Sequence, residues 1–130
     1  MNVFQYSAVA EMNWKQNLSD MGSFVPKYTF YGDFSISDWY GVSSVKDTYK
    51  NVIKSWGSDY KALTEIVMVL NHKSWSFHNK VDSSYLNCSE EKRVAMVSLY
   101  AELYEKADAE FRKRFKGNDE AMQYYYEVTD

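Results

Sequence analysis

The stretch Ser58-Asp59-Tyr60-Lys61-Ala62-Leu63-Thr64-Glu65-Ile66-Val67-Met68-Val69-Leu70 decides the fold. Ser58 and Asp59 are residue types that cap helix N-termini. Behind them, Tyr60, Leu63, Ile66, Val67 and Leu70 recur at intervals of three and four, the spacing of one helix face. The run from Ile66 to Leu70 is apolar all round, and a helix without a polar side has to be enclosed by others. This segment therefore predicts a central helix, with Trp75 and Phe77 extending it to about residue 79.

The neighbouring segments supply helices to enclose it. Upstream, Val42, Val45, Tyr49, Val52 and Trp56 form an amphipathic stripe that stops at Gly57. Before that, Ser35 to Tyr40 reads as a short helical turn, with Ser35 or Ser37 as N-cap and Gly41 as the stop. Downstream, Asp82-Ser83-Ser84-Tyr85-Leu86-Asn87 has loop composition, and Asn87-Cys88-Ser89-Glu90 resembles an N-cap with a capping-box Glu at N3. A long helix follows to about Phe115, with Met96, Tyr100, Leu103, Ala107 and Phe111 on one face and Val97 and Tyr104 widening it. Gly117 ends it at C′, and Asn118-Asp119-Glu120 opens a last short helix.

The N-terminal part is less regular. Phe4, Ala8, Val9 and Met12 have helical spacing, and Met21 to Pro26 reads as a break, because the residue before proline avoids the α region. Tyr28-Thr29-Phe30-Tyr31 is rich in β formers and is expected to be extended, a minor strand at most. The fold class is thus mainly α, a compact bundle of four to five helices. Residues 1–27 form a partly helical extension and 28–130 a single helical domain.

Composition bounds the function. At 130 residues the chain is the size of one domain, large enough to bury roughly two thirds of its unfolded surface without a metal or disulfide staple. The net charge of −3 argues against a general nucleic-acid binder. The single Cys88 has no partner for an internal disulfide, which points to a reducing compartment. No signal peptide and no membrane span is apparent, so the expected location is the cytoplasm. The aromatic share of 18% is high and leans mildly toward a binding surface.

Chemistry-bearing patterns are few. Gly41-Val42-Ser43-Ser44-Val45 lacks the lysine and second glycine of a phosphate loop. His72 and His78 are six apart, whereas ligands on one helix face want three or four, so no metal or cofactor is expected. Cys88 beside a helix start has an inert structural reading as well as a nucleophilic one, for which His72 or His78 would have to serve as base. The cluster Arg112-Lys113-Arg114-Phe115-Lys116 suits the negative end of a helix dipole, with phosphate contact as the alternative.

The clearest surface signal is Tyr124-Tyr125-Tyr126. Successive residues on a helix point about 100° apart, so the three rings cannot all reach one buried stripe. One is expected in the core and at least one outside, available to a partner or to a homodimer contact. Asp119, Glu120 and Glu127 surround it with negative charge, which suits a basic partner.

Several pieces have a familiar look: Tyr28-Thr29-Phe30-Tyr31-Gly32-Asp33-Phe34-Ser35-Ile36, Lys46-Asp47-Thr48-Tyr49-Lys50, Val69-Leu70-Asn71-His72-Lys73-Ser74-Trp75 and the C-terminal Val128-Thr129-Asp130. On these, the chain resembles small uncharacterised proteins carried by conjugative elements and prophages of gut Firmicutes. The resemblance implies a mobile-element setting, in which small proteins often protect the element from host defence. It implies a non-enzymatic, anti-CRISPR or antirestriction type of inhibitor whose partner is a host effector, a Cas nuclease or a restriction enzyme. The alternative is a nucleic-acid-binding accessory protein using Arg112, Lys113, Arg114 and Lys116.

Overall fold

The computed structural model describes residues 30–80 and 88–129. These hold five helices and no strand: α1 (Phe30–Asp38), α2 (Val42–Trp56), α3 (Tyr60–Asn79), α4 (Glu90–Arg114) and α5 (Asp119–Thr129). The predicted N-terminal extension, 1–27, lies outside the described residues, as do Tyr28, Thr29 and the loop 82–87.

The central helix is α3, which packs against each of the other four. Its residues are buried without a break from Ala62 to Leu70 and again from His72 to Phe77. Burying each of Leu63, Ile66 and Leu70 stabilises the fold by about 1.5–3 kcal/mol. The Asp59 side chain caps this helix, accepting from the backbone N–H groups of Lys61 at 3.0 Å and Ala62 at 3.4 Å. Its other end closes on Lys80, held in the left-handed region at φ 58°.

The most extensive interface joins α3 to α4. The two run antiparallel. Ser74 Oγ donates to the Val97 carbonyl at 2.9 Å near one end, and the Tyr60 and Phe115 rings meet edge to face at 6.1 Å at the other. The α4 N-cap is Ser89, whose hydroxyl accepts from Lys92 N–H at 3.1 Å. The expected cap at Asn87 is therefore two residues early. Lys92, not a glutamate, sits at the third helical position, so there is no capping box.

Two readings of the first helix are corrected. Phe30 and Tyr31 are helical, not extended, and α1 starts well before Ser35. Phe30, Phe34 and Asp38 fall four apart and are all buried, and this tertiary contact outweighs the local β preference of Phe30 and Tyr31. Ser35 and Ser37 are interior residues, not caps. Their hydroxyls donate back to the carbonyls of Tyr31 at 2.8 Å and Asp33 at 3.2 Å. Gly41, at φ 99°, makes the corner between α1 and α2, a conformation that favours glycine. The helices return antiparallel, with Phe30 edge to face on Trp56 at 6.0 Å.

The core also holds an ion pair to which a phenol is joined. Lys73 of α3 is fully buried and places Nζ 2.6 Å from Asp38 Oδ2 of α1. Tyr100 of α4 donates its hydroxyl to the other oxygen of Asp38. Lys73 Nζ also donates to Ser35 Oγ at 3.3 Å and lies 4.9 Å from the Tyr31 ring, 5.2 Å from Phe77 and 5.8 Å from Tyr100. Three helices are thereby tied by one carboxylate and one ammonium, each solvated by protein groups instead of water.

Candidate partner-binding face

The last helix begins where Asn118 Oδ1 accepts from Ala121 N–H at 3.1 Å. Gly117, at φ 84°, turns the chain into it from α4. Asp119 and Glu120 occupy the first turn, where carboxylates complement the positive helix end. Ala121, Tyr125 and Val128 are the buried stripe.

The three tyrosines divide as their angular spacing requires. Tyr125 is buried and stacks on Phe111 with centroids 4.0 Å apart and planes 17° from parallel. Its hydroxyl donates to Asp108 Oδ1 at 2.6 Å. Burial, and then the hydrogen bond to the negatively charged Asp108, hold the proton on this hydroxyl and push its pKa far above the ordinary phenol value of 10.0. Tyr126 is 44% exposed. Its hydroxyl accepts from Arg112 Nη1 at 3.2 Å, and the Arg112 guanidinium lies 5.6 Å from its ring. Tyr124 is half-buried. It meets Tyr60 edge to face at 5.4 Å, and Lys61 Nζ stands 5.6 Å from its ring.

Around Tyr124 the surface dips into a groove of about 280 Å³ between α3 and α5, lined by Tyr60, Lys61, Glu120, Gln123, Tyr124 and Glu127. The Tyr60 hydroxyl donates to Glu120 Oε1 at 3.3 Å, and its pKa is raised, first by desolvation and then by the Glu120 charge. Gln123 Nε2 donates to Glu127 Oε1 at 3.2 Å. Of the six residues predicted for a partner site, this groove joins Tyr124, Glu120 and Glu127. Asp119 and Tyr126 are exposed outside it, and Tyr125 faces the core. Tyr60, expected only on a buried face, is the groove's aromatic wall. It was hidden in sequence because its partner Tyr124 is contributed by a different helix.

The basic cluster is divided. Arg112 Nε donates to Asp108 Oδ2 at 3.1 Å and turns toward α5. That ion pair holds the guanidinium pKa above its ordinary value. Arg114 Nε donates to Glu110 Oε1 at 2.7 Å, and its guanidinium lies beside Gly57 at the end of α2. The two arginines point about 200° apart on the helix. Lys113 and Lys116 are exposed.

Cys88 is half-buried against the core, and His72 is fully buried beside Tyr31, Trp75 and Ser76. Among the described residues, no group of three or more His, Cys, Asp and Glu is arranged to hold a metal ion, and no helix is long and apolar enough to cross a membrane. Sequence reading passed over one further feature, the exposed Ile36, Trp39, Tyr40 and Val42 at the corner between α1 and α2. The signal was available in Trp39-Tyr40-Gly41, two large aromatics placed directly before a turn glycine.

In comparisons with known proteins, no family model, no curated protein and no solved structure matches the chain.

Proposed function

We propose that the chain is a non-enzymatic binding protein whose α3–α5 face docks onto a basic protein surface. The observation that supports this is the groove that the rings of Tyr60 and Tyr124 line together with the carboxylates of Glu120 and Glu127. Aromatic rings in a shallow recess give contact area at low entropy cost, and carboxylates set the sign of the partner. Lys61 over Tyr124 occupies the kind of position that a partner's lysine or arginine would take. With the resemblance to mobile-element proteins, the partner we favour is a host defence nuclease, whose nucleic-acid groove is necessarily basic. Occupying that groove would inhibit without chemistry.

The test is a cleavage assay against a panel of Cas-type and restriction nucleases, paired with direct binding. Inhibition by the wild-type chain, lost in Glu120→Lys/Glu127→Lys with melting unchanged, is the expected result. No binding and no inhibition across the panel would overturn the nuclease reading. Binding that ignores both charge reversals would overturn the site.

A nucleic-acid-binding role has a narrower basis, the exposed Lys113 and Lys116, since Arg112 and Arg114 are engaged by Asp108 and Glu110. Phosphate binding would weaken steeply with salt, and a gel-shift titration of Lys113→Ala/Lys116→Ala would read it.

A further inference from the structure

Away from the α5 groove, the corner between α1 and α2 displays four large apolar side chains within seven residues. Ile36 is 65% exposed, Trp39 65%, Tyr40 77% and Val42 39%. Scattered apolar residues on a surface need no explanation, but a contiguous group rich in Trp and Tyr is the composition of an interface centre. Gly41 fixes the corner at φ 99°, and the end of α1 is tied to the second turn of α2 by the hydrogen bond between the Ser37 and Thr48 hydroxyls. The display is therefore held by a built scaffold.

The charges bordering this patch are mostly positive. Lys46 lies one turn beyond Val42 on the same ridge of α2 and borders the patch, and Lys50 and Lys54 continue that ridge away from it, about 12 and 18 Å along the axis from Val42. None of the three has an ion pair among the described residues. From α4, Lys92 reaches across to the Trp39 carbonyl at 3.4 Å, so a second ammonium borders the patch from another helix. Asp33, one turn back from Ile36, and Asp47, next to Lys46 and one turn before Lys50, are the carboxylates that α1 and α2 leave exposed.

We propose that this corner is a second docking surface, which takes a protein segment carrying apolar anchors flanked by carboxylates. It is distinct from the α5 groove in place and opposite in charge, and it does not depend on the function proposed above. Two other occupants fit less well. A two-fold contact between copies of the corner would set Lys46 and Lys92 near their own counterparts, and like charges oppose that pairing. A single strand of nucleic acid would use the rings of Trp39 and Tyr40 for stacking, but Ile36 and Val42 offer bases no such face.

The experiment uses the full chain, immobilised and panned against a phage-displayed library of random short peptides, with enriched peptides then synthesised and titrated. The expected result is enrichment of aromatic or aliphatic anchors beside Asp or Glu. Binding should fall about tenfold or more in Trp39→Ala and in Tyr40→Ser, with melting unchanged, and should weaken with salt less steeply in Lys46→Glu. Glu120→Lys/Glu127→Lys should leave this binding intact, which separates its failure from failure of the α5 reading. Enrichment of basic peptides, of none, or of peptides indifferent to Trp39→Ala would overturn the proposal. So would an oligo-dT strand bound through Trp39, or sedimentation showing a dimer that Trp39→Ala dissociates.

Discussion

A carboxylate held between a cation and a phenol occurs in two places in this bundle, once in the core with a lysine and once at its edge with an arginine. In the core, Asp38 gives one oxygen to Lys73 and the other to the Tyr100 hydroxyl. At the edge, Asp108 gives one oxygen to Arg112 and the other to the Tyr125 hydroxyl. The wiring is alike and the surroundings are not. The Lys73 and Asp38 side chains are 0% and 2% exposed, while Arg112 and Asp108 are 49% and 30% exposed. Removing one partner in the core leaves a charge with no water to solvate it. Removing one at the edge leaves a charge that water reaches at once. The consequences of breaking a bond are set by what replaces it, not by its length.

The sharpest way to break the comparison is Lys73→Ala. It strands the Asp38 carboxylate in the core and should destabilise by about 3–5 kcal/mol, read by denaturant unfolding. A loss below about 1 kcal/mol would mean that the core trio is no more consequential than a surface pair. Next is Tyr125→Ala, which removes the ring stacked on Phe111 at the buried end of the edge trio. The expected loss is about 2–4 kcal/mol, the range for large-to-small core changes.

Alkaline titration comes third. The folded-state pKa of Tyr125 is raised above 10.0, so the native state holds a proton that the unfolded chain releases. Its contribution is complete below about pH 10 and is lost as pH rises from there toward the raised folded value, by up to about 1.4 kcal/mol per pH unit. Tyr49 and Tyr104 are shifted the same way by burial and add to the slope. Tyr125→Phe should flatten this part of the pH profile, and an unchanged profile would show that Tyr125 is not its source. The smallest effect is expected from Arg112→Ala. It breaks a half-exposed pair and should cost roughly 0.2–1 kcal/mol, with salt reducing the difference further.

These contrasts also explain which parts were legible in the sequence. The limits of α2 and α3 could be read because local chemistry sets them: a glycine at 57, a capping carboxylate at Asp59, and apolar residues at helical intervals. The start of α1 could not, because Tyr28 to Tyr31 prefer extended backbone locally. Phe30 is helical by virtue of what it packs against. Lys73 was invisible for another reason. Lysine is ordinarily a surface residue, and the Asp38 that holds it lies on a different helix. The division of the three tyrosines on α5 followed from helix geometry alone, but which ring went inward depended on the Phe111 face of α4. The α1–α2 corner was missed because an exposed tryptophan has the same local pattern as a buried one.

The position of α3 has a bearing on the order in which the chain assembles. Its most extensive interface is with α4, the next helix along in sequence, so that antiparallel hairpin closes over a far smaller sequence separation than the contacts of α1 with α4. The α1 helix is held at its end by a contact between Asp38 and Tyr100, 62 residues apart in sequence. Contacts so distant come at a high entropy of closure and reward the chain only once both walls exist. The α3–α4 hairpin is thus the natural nucleus, and α1 arrives onto a surface already made. Substitutions in Leu63, Leu70 or Leu103 should then slow folding, whereas those at Asp38 should chiefly hasten unfolding.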